Sequence, residues 1–184
     1  MYGIDILIGE HEEIVRFVES LRRANLKILE EGKLDLGYFR QAIDFIRNYA
    51  DKIHHGKEED ILFARIQEHL GDIGRNLIDH GMLVEHDLAR YNLLALEEAL
   101  DRYEDESTPG NVLDIMGHSL AYRDLLIRHA DKENRAVYAY AKKSLPGQVL
   151  DEIDQETEEF QKKYEESGEL AKYKAMLEDF EKRF

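Results

Sequence analysis

The chain has 184 residues, enough for one domain with a real core, and its 40 acidic against 25 basic side chains leave a net charge of -15. That balance excludes the basic footprint of a nucleic-acid binder and disfavours an anionic membrane surface. The absence of Cys excludes thiol catalysis, disulfides and thiolate clusters, and two Pro with abundant Leu, Ala, Glu, Lys and Arg point to an all-α protein.

No apolar run approaches the roughly 20 residues of a membrane span. The opening MYGIDILIGEHEE lacks the basic start of a signal peptide, so a cytoplasmic location is expected. Asp5 is the expected cap of a first helix that runs to about Glu31 and ends at Gly32. Its stripe of Leu7, Ile14, Val15, Val18 and Leu21 shares a face with His11. A second helix is expected over residues 35–70, closed by Gly71, with Ile43, Ile46, Ala50, Ile61 and Leu62 on the face of His54. A third follows Gly74 over residues 76–104 and carries Met82, Leu83, Ala89, Leu93 and Leu94 beside His86. Thr108 is a natural N-cap and Pro109 a natural first residue for a fourth helix reaching Ser144, whose His129 face holds Tyr122, Leu125, Leu126 and Val137. After Pro146 and Gly147, an acidic helical tail with a break at Ser167–Gly168 is expected to pack on the bundle or on a partner.

The sequence repeats itself. His54, Lys57, Glu58 and Phe63 recur as His129, Lys132, Glu133 and Tyr138, each 75 residues on, and the same offset relates Glu10–His11 to Glu85–His86. Two copies of a helical hairpin, neither able to bury its apolar face alone, make an up-and-down four-helix bundle. Residues 1–145 form that bundle and residues 146–184 a C-terminal helical extension. Counting from the hairpin turns at 1.5 Å per residue puts all four His near one level, about 30 Å from the turns, with Glu58 and Glu133 one turn beyond. A lone His on an apolar face is usually a hydrogen-bonded core residue. Four His and two Glu at one level are better explained by a metal pair, because two buried carboxylates cost several kcal/mol each without a cation. Imidazole with carboxylate suits iron, manganese or zinc, and the lack of any Glu-x-x-His argues against a ferritin-like site.

The order His, HxxxE, His, HxxxE over four helices resembles the hemerythrin-like, or HHE cation-binding, family across residues 4–144. The resemblance implies a non-haem di-iron centre, oxo- or hydroxo-bridged, that binds dioxygen, nitric oxide or peroxide for sensing, storage or detoxification. It implies His11, His54, His86 and His129 as terminal ligands and Glu58 and Glu133 as bridging ligands. Oxygen-carrying hemerythrins add an HxxxH on the third helix, but Met82 stands there in this chain. Each ion would then be about five-coordinate and open to small oxidants. His55 and Glu59 form a rival HxxxE. The second copy, with Ala130 and Asn134 at the matching places, favours His54 with Glu58, leaving His55 or Glu59 as an extra ligand. His118 is expected in the core or a channel, His69 and His80 on the surface, Tyr122 in the core, and Lys57 and Lys132 in solvent. Two further functions fit the resemblance: a metal-dependent enzyme acting on peroxide or nitric oxide or donating iron for iron–sulfur repair, and a metal-responsive regulatory or interaction module. Iron–sulfur repair proteins of the family usually carry a Cys-containing segment, which this sequence lacks. A homo-oligomer or a protein partner held through the C-terminal helix is compatible with the same pattern.

Overall fold

In the computed structural model, which describes residues 2–184, six helices follow one another with short connections. Helix α1 spans Tyr2–Glu31 and ends where Gly32 turns into the left-handed region at φ 66°. Helix α2 covers residues 36–69, its first turn capped by Asp35, whose carboxylate accepts from the Tyr38 N–H at 3.0 Å. Helix α3 covers residues 71–105 and α4 residues 109–144, the latter opened by Thr108 and Pro109 as the cap spacing anticipates. Helices α5 (Gly147–Glu166) and α6 (Glu169–Arg183) form the extension and are separated by Gly168 at φ 77°.

Two boundaries differ from expectation. Asp5 lies inside α1 rather than capping it, because the first N–H groups are taken by Asp154 of α5. The Tyr2 and Gly3 N–H groups donate to its carboxylate at 3.1 and 2.8 Å. Helix α3 starts at Gly71, five residues early, since a positive φ at that glycine reverses the chain within one residue. Gly74 makes so tight a reversal passable: a Cβ there would stand 2.6 Å from the Ile66 carbonyl oxygen.

The helices pack as two hairpins, α1 with α2 and α3 with α4, laid together in a bundle, and α5 and α6 lie against α1 and α2. Apolar side chains fall into two layers. One runs from Ile14 through Tyr38, Phe45, Leu96 and Leu126 to Phe180 of the extension. The other joins Ile4, Leu7, Leu62, Ile78 and Val137 with Val149 and Ile153 of α5. The rings of Phe17 and Phe45 stack at 4.4 Å, and Phe180 closes on Phe17 at 5.7 Å and Tyr38 at 5.1 Å. Each such buried ring removes an area worth about 1.5–3 kcal/mol from water. Between the layers runs a band of buried polar side chains, reached by all four bundle helices. No described helix is long and apolar enough to cross a membrane.

Candidate metal centre

The polar band falls where Leu7 and Ile14 on α1 give way to Glu10 and His11, and the other three helices change character at the same level. His11, His54, His86, His129, Glu58 and Glu133, the six residues singled out by the repeat, are all buried and brought together. His55 joins them, buried to 1 % exposure. Two groups of donor atoms result, His11–His54–Glu58–Glu133 and His55–Glu58–His86–His129, each with its atoms within 4.8 Å of one another. Glu58 belongs to both. Glu133 also touches both sides, its carboxylate oxygens lying 3.1 Å from the Nε2 atoms of His11 and His129 and 3.7 Å from that of His86.

Backbone geometry explains why His55 arrives. Residues 46–55 and 58–63 of α2, 78–82 of α3 and 133–137 of α4 are wound as π-helix. A π turn spends an extra residue per ring and so shifts the faces that side chains share. On a regular α-helix, neighbours diverge by about 100° and only one of His54 and His55 would face inward. Here both do. The two HxxxE readings are therefore not rivals. His54 and Glu58 point into the centre with His55, while Glu59 stands behind His86.

Each inward imidazole is held from behind by its Nδ1. His54 faces Glu10 at 3.0 Å, His129 faces Glu85 at 2.9 Å and His86 faces Glu59 at 2.6 Å. His55 faces Asp51 at 3.2 Å, and His11 faces the side-chain oxygen of Asn134 at 2.9 Å. Arg90 ties the Asp51 and Glu59 carboxylates together at 2.8 and 2.7 Å. Such partners fix ring orientation and tautomer and leave Nε2 as a lone-pair donor, the arrangement found behind metal-bound His. Two aromatic walls follow the repeat: Phe63 stacks on His86 at 5.7 Å and Tyr138 on His11 at 5.5 Å. The Tyr138 hydroxyl also donates to the Glu58 carboxylate.

Electrostatics set the two central carboxylates apart. Burial, and then the facing Glu133, push the Glu58 carboxyl well above its ordinary range. Glu133 moves the other way: burial opposes its ionisation but is outweighed by His129, His11 and His86. Burial and the neighbouring rings hold His54 neutral and lower His55 to about 3. The inward Nε2 atoms of His11, His54 and His55, Oε2 of Glu58 and both carboxylate oxygens of Glu133 are buried without a hydrogen bond. Orphaned polar atoms in a dry interior are rare and costly. Imidazole and carboxylate donors converging in this way fit a divalent transition metal, and their mixture fits iron, manganese or zinc alike.

Other expectations sort themselves by position. Lys132 stands in solvent as anticipated, but Lys57 is a correction. Its side chain is fully buried, because α5 covers it, and it pairs with Glu10. His69 and His80 are on the surface, whereas His118 is only half-buried on α4 and lines no central channel. Tyr122 is core, packed near Asp51, His55 and Arg90. Met82 is also core, in the layer with Ile4 and Leu7. Tyr138 was the functional candidate hardest to find from sequence. Its signal is the hydroxyl that separates it from Phe63, its counterpart in the repeat. A surface cleft of about 340 Å³, lined by His11, Val15, Ile127, Ala130 and Asn134 among others, opens beside the His11 edge of the centre.

The family model of the hemerythrin HHE cation-binding domain matches residues 2–141. No curated protein and no solved structure matches the chain. With three-quarters of its length under that one model and a buried His/Glu centre that fits a metal, the chain belongs to the hemerythrin HHE cation-binding domain family.

Proposed function

We propose that this is a non-haem di-iron protein that binds or reacts with dioxygen, nitric oxide or a related small oxidant, for sensing, storage or detoxification. One observation carries the reading: two four-donor groups share Glu58, and inward atoms of His11, His54, His55, Glu58 and Glu133 are left without hydrogen bonds. His11 and His54 would hold one ion and His55, His86 and His129 the other, with Glu58 and Glu133 between them. His55 then makes up for the imidazole lost at Met82. Held by these residues, a pair of irons would supply the capacity to exchange electrons with a small diatomic or peroxide ligand.

The rest of the task falls to the chain. Asp51, Glu10, Glu59 and Glu85 orient four of the rings and strengthen them as donors. Asn134 offers His11 a neutral partner, so that ring is the weaker donor of the set. The half with only two His is also the half next to the cleft, where Val15, Ile127 and Ala130 lie among Glu12, Arg16 and Asp131 and leave room for a small guest. The apolar layers on both sides exclude bulk water, and Tyr138 holds Glu58 in place and can keep a proton near it. Residues 1–145 act as the metal-holding bundle and residues 146–184 as its cover.

Metal analysis joined to absorption spectra before and after exposure to oxygen and nitric oxide tests this. About two irons per chain are expected, with charge-transfer bands that change on exposure. A protein that takes up no transition metal, with His54→Ala and His129→Ala unchanged in fold and stability, would return the centre to a polar core.

A further inference from the structure

The two halves of the repeat are alike in sequence but not in surroundings. Glu10, His54 and Lys57 match Glu85, His129 and Lys132, each pair 75 residues apart. In both, the Glu holds the Nδ1 of the His, at 3.0 Å and 2.9 Å, and the Lys pairs with the Glu from outside. The Lys132 side chain is 47 % exposed, and Glu85 behind it 20 %. The Lys57 side chain is 0 % exposed and Glu10 6 %. The difference is α5. Gln161 accepts a hydrogen bond from the Lys57 ammonium at 3.0 Å, and the Phe160 ring lies 5.8 Å from the same nitrogen. Gly56, one residue before Lys57, faces that ring, and a Cβ there would already touch it at 3.5 Å. A buried ammonium is costly unless every donor is engaged, so the fit of Gln161 over Lys57 is a built contact.

We propose that Lys57 and Gln161 are positioning residues which hold Glu10 against His54, making the C-terminal extension an outer wall of one half of the metal centre. Retention of the ion on the His11–His54 side is thereby coupled to the docking of α5, while the ion on the His129 side depends on partners that α5 does not cover, Glu85 at 20 % and Lys132 at 47 % exposure. Anything that lifts α5 loosens one ion of the pair and leaves the other. This inference rests on the di-iron reading of the centre.

The test loads the full-length protein with ferrous iron without oxygen and follows release into a chromogenic chelator. In Lys57→Met one iron per chain should leave about 10- to 100-fold faster than in wild type, and the second at the wild-type rate. Gln161→Leu, a change confined to α5 of the extension, should move the same iron in the same direction by less. Lys132→Met is the matched comparison and should accelerate release less than Lys57→Met, because water replaces its ammonium. Equal effects of Lys57→Met and Lys132→Met, or equal acceleration of both irons, would overturn the proposal. A second readout needs no metal: the Nδ1 proton of His54, shielded by Glu10, should give a slowly exchanging downfield resonance that is kept in Lys132→Met and lost in Lys57→Met. The same pattern with a wild type that binds no iron would defeat the di-iron reading alone. Retention of the resonance in Lys57→Met would defeat the positioning role.

Discussion

Glu58→Gln separates what the centre needs as a folded object from what it needs as a metal site. In the metal-free protein, burial and then Glu133 raise the Glu58 carboxyl well above 4.5, so the folded chain keeps a proton there that the unfolded chain releases. The folded state then binds more protons than the unfolded one at every pH above 4.5 and below the raised value. Stability therefore falls as pH rises through that window, by up to about 1.4 kcal/mol per pH unit. Gln keeps the shape of the protonated acid and has no proton to lose. Urea unfolding of chelator-stripped wild type and variant at a series of pH values reads the difference. Near pH 4.5 the variant should be equal or about 1 kcal/mol worse, for an altered hydrogen bond to Tyr138. As pH rises towards 7.5 it should gain on the wild type and become the more stable of the two. Loading with metal should reverse the order, because the wild type gains binding energy that the amide cannot match. A difference that stays flat from pH 4.5 to 7.5 would refute the reasoning, since Glu58 would then ionise alike in both states.

Two further outcomes follow from the same description. His54 and His55 are held neutral, the second down to about 3, so the unfolded chain gains protons below 6.5 that the folded one refuses. In the Glu58→Gln background, metal-free stability should be intact above that pH and fall below it by up to about 1.4 kcal/mol per unit for each His, partly offset by His86, whose pKa is raised; His55→Gln should shallow the slope in the same unfolding series. Phe180→Ala should cost about 3–5 kcal/mol and lower the stability of bundle and extension together, as a single transition by far- and near-ultraviolet circular dichroism, because its ring packs on Phe17 and Tyr38; two separate transitions would contradict a shared core.

The repeat made most of the bundle legible in the sequence. Four helices, their caps at Thr108 and Pro109, and the level shared by His11, His54, His86 and His129 all follow from spacing that a 3.6-residue period preserves. The same period left α2 open, favouring His54 with Glu58 and keeping His55 or Glu59 as an extra ligand. Choosing between His54 and His55 assumes that one residue of rotation is the whole difference, and the π turns remove that assumption. Nothing in local composition announces a π turn, because it reflects the packing of the centre rather than a propensity of the residues. Lys57 was misread for a related reason. Its counterpart Lys132 is solvated, and only the fold of residues 147–166 over α2 distinguishes the two. The start of α1 was equally a matter of tertiary structure, since Asp5 is a good local cap and Asp154 a better distant one.

That distant cap has a consequence in time. The Gly3 N–H and the Asp154 carboxylate it meets are 151 residues apart, and Gln161 stands 104 residues from the Lys57 it seals. Synthesis at ~5–20 residues per second delivers the two sides of these contacts about 5 to 30 seconds apart. Throughout that interval His11 and His54 have emerged while the start of α1 lacks its anchor and Lys57 its cover. The metal centre thus has a maturation order written into its topology: the His129 side can close as soon as α4 leaves the ribosome, whereas the His54 side must wait for the segment that follows it.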